Sequence, residues 1–239
     1  MSNLKVVAFL PAKGTSERIE SKNMKILNGK PLFLHTLEKL VSCDFIDEVY
    51  LDSESEEILN YASYLDYKPL KRDPALASNK TDGHQMFYNE VSQIDADIYI
   101  QILCTSPFIS VDTIKRGVDV LVEKPEYDSV VLMRKEKQYL WKDGQPIYDK
   151  FHIPNSNTLP DTILESMGLY IVRAKTAHET KMRFGNNVYM LTADAIETVD
   201  VNFPDEFRLA EYIMRGIEEQ GNSKRKIISR LCYFVGHSK

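Results

Sequence analysis

The stretch Val6-Val7-Ala8-Phe9-Leu10-Pro11-Ala12-Lys13-Gly14-Thr15-Ser16-Glu17-Arg18, followed by Lys22-Asn23, decides the reading of this chain. Val6–Leu10 is a short apolar run rich in strand formers, closed by a proline, and it predicts a buried strand. It empties into a loop of small residues. Such a loop turns several backbone N–H groups into one concavity, which is a place for phosphate oxygens. Lys13, Arg18 and Lys22 add three cations within ten residues, and Gly14 permits positive φ. The stretch contains neither GK[ST] nor GxGxxG, so it is not a Walker loop or a dinucleotide fingerprint. The plainer reading is a tight strand-to-helix turn with a solvated basic patch.

Working outward, strands and helices alternate. Apolar residues at 32, 33, 34, 37, 40 and 41 predict a helix over Pro31–Ser42. Glu48–Leu51 reads as a strand, and Ser55–Leu65 as a helix capped by Ser55. Lys68–Gly83, rich in Pro, Asn and Asp, reads as a loop. A helix over Gln85–Gln93, a strand over Ile98–Leu103, a helix over Val111–Glu123 and a strand over Ser129–Met133 follow. Farther on, Gly168–Val172, Val188–Leu191 and Ile196–Val201 read as strands, with Ile196–Val201 favoured over Val188–Leu191, and Phe207–Gln220 reads as a helix. This alternation predicts a three-layer α/β/α fold with a mostly parallel sheet. The pattern breaks at 135–164, where Lys142-Asp143-Gly144 and three prolines predict a hairpin-and-loop arm inserted into a single domain spanning 1–239.

Composition excludes several classes. The net charge of −5 opposes bulk nucleic-acid binding, and the basic run Lys224-Arg225-Lys226 is read as a solvated surface. The three cysteines show no CxxC spacing, which opposes a disulfide framework or structural zinc and fits a reducing cytoplasm. No apolar run is long enough for a membrane, and Met1–Val7 lacks a secretory pattern, so a cytoplasmic protein is expected. Cys104 is expected as a small buried residue, and His84 and His152 as surface or satisfied histidines.

The opening motif, with Gly29-Lys30-Pro31-Leu32 after it, resembles that of the cytidylyltransferases that activate sialic acid-like 2-keto-3-deoxy sugar acids. The resemblance continues in order through Asp52-Ser53-Glu54-Ser55-Glu56-Glu57-Ile58, Arg72-Asp73-Pro74-Ala75-Leu76-Ala77, Thr105-Ser106-Pro107, Leu159-Pro160, Tyr170 and Asp200, and on to Phe207, Ala210 and Glu211. It implies a nucleotide-diphospho-sugar transferase-like fold, a homodimer formed through the arm, and transfer of CMP from CTP to an acid sugar with magnesium. Residue by residue it implies a nucleotide site at Ala12, Lys13, Gly14, Thr15, Ser16, Arg18, Lys22, Asn23, Arg72 and Ser78, with Lys22, Arg18 and Asp200 catalytic. It also implies an acceptor site at Gln101, Leu103, Thr105 and Ser106, and metal ligands at Asp200 and Asn202. Within a strand, the period of two would put Asp200 and Asn202 on one face, where two oxygens could share one cation. For Arg72 the plainer reading is a surface ion pair.

The chain departs from the family pattern unevenly. Leu103 stands where the family has a glutamine, Cys104 where it has a proline, and Asn202 where it usually has a second aspartate. Ile109, Ser156-Asn157 and Ser166-Met167-Gly168 replace residues that include two expected cations, and Lys135, Lys137 and Arg173 are the substitutes for holding an acceptor carboxylate. Two other outcomes stay open: CTP-dependent activation of another acid such as a phosphonate, and a relative that holds nucleotide without turnover.

Overall fold

The computed structural model describes residues 4–78 and 80–235, with side chains through residue 220. Strand β1 (Val6–Pro11) is followed by the short strands β2 (Ile26–Leu27) and β3 (Lys30–Pro31) and by helix α1 (Leu32–Val41). Next come β4 (Glu48–Ser53), α2 (Glu56–Tyr61), β5 (Lys68–Lys71), α3 (Gly83–Val91), β6 (Ile98–Ile102), α4 (Val111–Glu123) and β7 (Ser129–Glu136). A hairpin of β8 (Trp141–Lys142) and β9 (Gln145–Pro146) leads to β10 (Thr162–Arg173), α5 (Ala174–Thr180), β11 (Val188–Ala193) and α6 (Pro204–Val235).

One seven-stranded sheet has the order β11-β7-β10-β6-β1-β4-β5. Only β10 runs against its neighbours; β1 pairs in parallel with β4 and β6, β4 with β5, and β7 with β11. The chain leaves β1 towards β4 and β5, then returns to β6 on the other side. In an open α/β sheet that reversal opens a crevice at the carboxyl ends of the two strands, here β1 and β6. All six residues of β1 are buried because both faces of the sheet are covered. On one face Ala8, Leu10 and Ile100 pack against Phe33 and Leu37 of α1, Ile58 of α2 and Ile114 of α4. On the other, Phe9, Tyr99 and Val172 pack with Phe87 of α3 and Ala177 of α5. A third cluster joins Ile19, Leu27 and Phe108 to Val201 and to Phe207 and Ala210 of α6. These are the three layers that the alternation predicts.

Local chemistry explains the helix starts. The Ser55 hydroxyl accepts from Ile58 N at 3.4 Å, and Ser110 from Thr113 N at 3.1 Å. Asp82 and Gln85 form a reciprocal capping box at the start of α3. The arm hairpin turns through Asp143 and Gly144 at φ 50° and 74°, the left-handed conformations a two-residue hairpin loop requires.

The structure corrects four element expectations. Ile196–Val201 is not a strand: the Asp194 carboxylate accepts from Ile196 N at 2.8 Å and Glu197 N at 2.9 Å, closing a turn, and the edge strand is β11 at Val188–Ala193. Lys68–Lys71, expected as loop, is recruited by β4 as a parallel edge strand. Ala174–Thr180 is a helix where none was expected. The last helix begins at Pro204 and runs on to Val235 rather than ending at Gln220. The expectation for Lys224-Arg225-Lys226 concerns side chains outside the described residues. Among the described residues, no helix is long and apolar enough to cross a membrane.

Candidate functional site

The loop after β1 forms one wall of a cavity of about 550 Å³ at the carboxyl ends of β1 and β6. Lys13, Thr15, Ser16, Arg18, Lys22 and Asn23 all line it. Three of these residues are braced from behind. Lys22 Nζ donates to Val201 O at 3.0 Å; Arg18 Nη2 donates to Asn202 Oδ1 at 3.3 Å and its guanidinium lies 5.0 Å from the Phe203 ring centroid. Asn23 Nδ2 donates to Lys13 O at 2.8 Å. The brace is itself anchored, since Val201 N donates to Thr105 O at 2.8 Å. Burial pushes the Lys22 ammonium below the usual lysine range, with Arg18 a lesser cause in the same direction. A desolvated cation gains more from a bound anion than a surface lysine would, even with Asp200 nearby pulling in the opposite direction.

Two loop residues hold the wall rather than line it. Ala12 is buried and its N–H donates to Asp52 O at 2.8 Å. Gly14 does not use the positive φ that glycine permits, and its N–H donates to Glu54 Oε1 at 2.7 Å. Its missing side chain matters for another reason: a Cβ there would come within 2.8 Å of Ser55 Cβ, so glycine lets the loops after β1 and β4 touch.

The opposite wall carries Arg72, Ser78 and the start of α3. Arg72 is not a surface ion pair. It is 2% exposed, and its Nε and Nη2 grip Asp52, with Nη2 to Asp52 Oδ2 at 2.6 Å and to Asp52 O at 3.1 Å. Behind Asp52 lies Glu90, fully buried, whose carboxyl is pushed well above the usual carboxylate range by burial and by the charge of Asp52. A neutral Glu90 can donate to Asp52, and its Oε2 accepts from Gln101 Nε2.

The expected acceptor residues divide. Leu103 and Thr105 line the cavity. Gln101 does not reach it, because β6 buries it against Glu90; its Oε1 has no partner among the described residues. Ser106 is buried in a turn, its N–H donating to Leu103 O at 3.0 Å. The three substitute cations are also elsewhere. Lys135 pairs with Asp161 at 2.6 Å, Lys137 donates to Asn157 O at 2.6 Å, and Arg173 donates to main-chain carbonyls including Tyr127 O at 2.9 Å.

Asp200 and Asn202 sit in an irregular segment, so strand periodicity does not bring them together; their side chains meet directly, with Asn202 Nδ2 donating to Asp200 Oδ2. Asn202 thus spends its amide nitrogen on Asp200 and its oxygen on Arg18. Asp200 Oδ1 is buried and has no hydrogen-bond partner among the described residues. A buried carboxylate oxygen with nothing to accept is suited to a cation. Among the described residues no group of three or more His, Cys, Asp or Glu is placed to hold a metal ion, so a metal here would draw its other ligands from substrate and water.

Cys104 donates to Asn23 Oδ1 at 3.0 Å, and burial pushes its thiol up to about 12, which makes it an inert part of the floor. His84 Nδ1 accepts from Arg183 N at 3.1 Å, a satisfied histidine, and His152 lies exposed beside Asp149. Asp52, Glu90 and Arg183 were not singled out from the sequence. Asp52 stands inside a quoted motif, but nothing in its spacing discloses Arg72 as its partner.

Comparisons with known proteins bear on the family and the fold. A pseudaminic acid cytidylyltransferase of Campylobacter jejuni is 30% identical over 126 residues, covering 50% of this chain and 54% of that protein. The chain thus spans about half the length of that relative. A CMP-N,N'-diacetyllegionaminic acid synthase of Legionella pneumophila is 23% identical over 88% of this chain and 97% of its own length. Among solved structures, a synthetase of CMP and 2-keto-3-deoxy-manno-octonic acid in complex with CTP superposes with a TM-score of 0.67. It is 15% identical, over 89% of this chain and 99% of that one, and shows the shared fold. A family model described as Cytidylyltransferase matches residues 7–183, from β1 through the far wall of the cavity, and the chain belongs to the cytidylyltransferase family.

Proposed function

We propose that the protein transfers CMP from CTP to the anomeric hydroxyl of a 2-keto-3-deoxy sugar acid and releases pyrophosphate. The observation that carries this reading is the convergence of Lys13, Arg18 and Lys22 on one wall of the cavity at the β1/β6 crevice. The reaction forms a bond from the acceptor oxygen to the α-phosphorus and breaks the α–β phosphoanhydride, so negative charge gathers on the departing pyrophosphate. Cations fixed in advance lower that barrier because they do not have to reorganise as charge develops. Arg18 and Lys22, held by the 201–203 segment, do this work, with Lys13 beside them. Asn23, Arg72 and Ser78 hold the nucleoside side, and Leu103 and Thr105 form the floor under the reacting atoms. Gln101 and Ser106 act through the floor they support.

Asp200 is the residue that would hold a magnesium ion, through Oδ1; when bound, the ion neutralises phosphate charge. Asn202 keeps Asp200 and Arg18 in register. The protein is read as a homodimer joined through its arm, whose Trp141, Ile147, Phe151 and Ile153 are all more than 60% exposed. Several large apolar side chains left exposed on one arm support an interaction face.

Pyrophosphate release, assayed with each nucleoside triphosphate against pseudaminic, legionaminic, N-acylneuraminic and 3-deoxy-manno-octulosonic acids, tests the reading. CTP with at least one acid should react, and Asp200→Ala should lose turnover while keeping a wild-type melting temperature. CTP binding without turnover on any acid would instead favour a nucleotide-binding relative. Full turnover by Asp200→Ala at limiting magnesium would put the metal elsewhere.

A further inference from the structure

Arg183 is a buried cation without a counter-ion. It is 5% exposed, it lines the cavity, and its Nε has no hydrogen-bond partner among the described residues. No carboxylate among the described residues lies within ion-pair distance of it. Asp82 feels its charge, but Asp82 Oδ1 is committed to the N–H groups of His84 at 2.8 Å and Gln85 at 2.9 Å. The guanidinium instead lies 5.0 Å from the Tyr170 ring centroid and against the bare Cα of Gly83, where any Cβ would overlap its Cζ. This is a made space for a planar cation. A buried, unpaired charge is costly to keep, so the arrangement is explained by an anion that arrives with a ligand.

The fold says which ligand. In the proposed reaction the triphosphate is accounted for by the cations of the loop after β1. Tyr170 belongs to β10, which lies beyond β6, two strands from β1 and so roughly 10 Å across the sheet. Arg183, between Tyr170 and Gly83, therefore stands at the β10 end of the far wall, away from the cations that follow β1, where an acceptor attacking from beyond β6 would lie. In a 2-keto-3-deoxy sugar acid the carbon that bears the reacting hydroxyl also bears the carboxylate, so attack brings that carboxylate towards a negatively charged α-phosphate. A cation on the far side of the acceptor is needed to hold it there. Lys135, Lys137 and Arg173 are all engaged elsewhere.

We infer that Arg183, seated on Tyr170 and Gly83, binds the carboxylate of the acceptor and selects for acids at this site. The inference rests on the proposed reaction. The test uses the wild-type protein, Arg183→Lys and Arg183→Met, with the free acid that supports pyrophosphate release and its methyl ester. Esterification should raise the wild-type KM by about tenfold to a hundredfold, the range for a lost charge-assisted hydrogen bond. Arg183→Met should raise the KM of the free acid by a similar factor and cease to distinguish acid from ester. Arg183→Lys should fall between, and the Kd of CTP alone should stay within about twofold in both variants. Equal wild-type KM values for acid and ester overturn the inference. So does an Arg183→Met protein that still discriminates, or one whose loss is in CTP binding. If Arg183→Met fails to fold, the wild-type comparison and Arg183→Lys still decide. A wild type that releases no pyrophosphate with any acid refutes the proposed reaction itself, and the inference falls with it.

Discussion

Lys22 shows how one side chain joins structure to activity. It is drawn inward by Val201 O and faces the same cavity as Lys13 and Arg18. Lys22→Ala should weaken CTP binding by about tenfold to a hundredfold, from roughly 1.5–3 kcal/mol for a charge-assisted hydrogen bond. Titration calorimetry with CTP checks this, and wild-type affinity would remove Lys22 from the phosphate site. The pH dependence has a definite sign. Burial lowers the pKa of Lys22, so the ammonium is lost at a lower pH than a surface lysine would lose it. In the free enzyme, kcat/KM for CTP should fall on an alkaline limb that begins below the ordinary lysine value. Lys22→Arg, charged across the whole range, should move that limb upward; an unmoved limb would assign it to another group.

Among the elements, the arm between β7 and β10 behaves unlike the rest. β7 and β10 extend past the sheet as an antiparallel ribbon, pairing Thr162 with Glu136, and the ribbon ends in the β8–β9 hairpin. Tyr148 packs edge-on to both Tyr139 and Trp141, at 5.2 and 6.5 Å between ring centroids, so the arm has a small aromatic cluster of its own. That cluster leaves Phe151 81% exposed and Ile153 68% exposed. If these side chains meet a second copy, the protein should sediment as a dimer. Replacing 139–154 by a short Gly-Asn-Gly turn should then give a monomer with little activity. An active monomer from that replacement would make the arm a local structure only.

For the whole molecule, the two walls of the cavity depend on a polar chain inside the core: Arg72, Asp52, Glu90 and Gln101, from β4, α3, β6 and the segment after β5. Removing one member of a buried ion pair leaves the other charge uncompensated and costs about 3–5 kcal/mol, whereas replacing both by apolar residues costs much less. Asp52→Leu should therefore lower stability by that amount in urea unfolding, and Asp52→Leu with Arg72→Met should recover most of it. The double variant should recover stability without recovering CTP binding, because it lacks Arg72, which lines the nucleotide wall. A double variant with normal CTP affinity would reduce the pair to a structural role.

The features legible in the sequence were those written in local chemistry. Strand β1, the loop after it, helices α1 to α4, the Ser55 cap of α2 and the Asp143-Gly144 turn each follow from neighbouring residues, because propensity, capping and periodicity act over a few positions. Even the cation cluster was local, since all three cations leave one strand within ten residues. What the sequence reading missed is set in one place by a neighbouring side chain and elsewhere by partners far along the chain. Asp194 converts an expected strand into a turn and so ends the periodicity that would have paired Asp200 with Asn202. β4 turns 68–71 into a strand because an open edge supplies hydrogen-bond partners the segment lacks alone. Gln101 alternates correctly on β6, yet its face meets Glu90 and not the cleft, because α3 covers that side. Gly14 is needed for a contact 41 residues away in sequence, at Ser55, and not for its own φ. Arg183 becomes a candidate ligand only when β10 and α3 bring Tyr170 and Gly83 to either side of it. For Gln101 and Arg183 burial decides: whether a polar or charged group must find a partner depends on which elements close over it, and that is a property of the folded molecule.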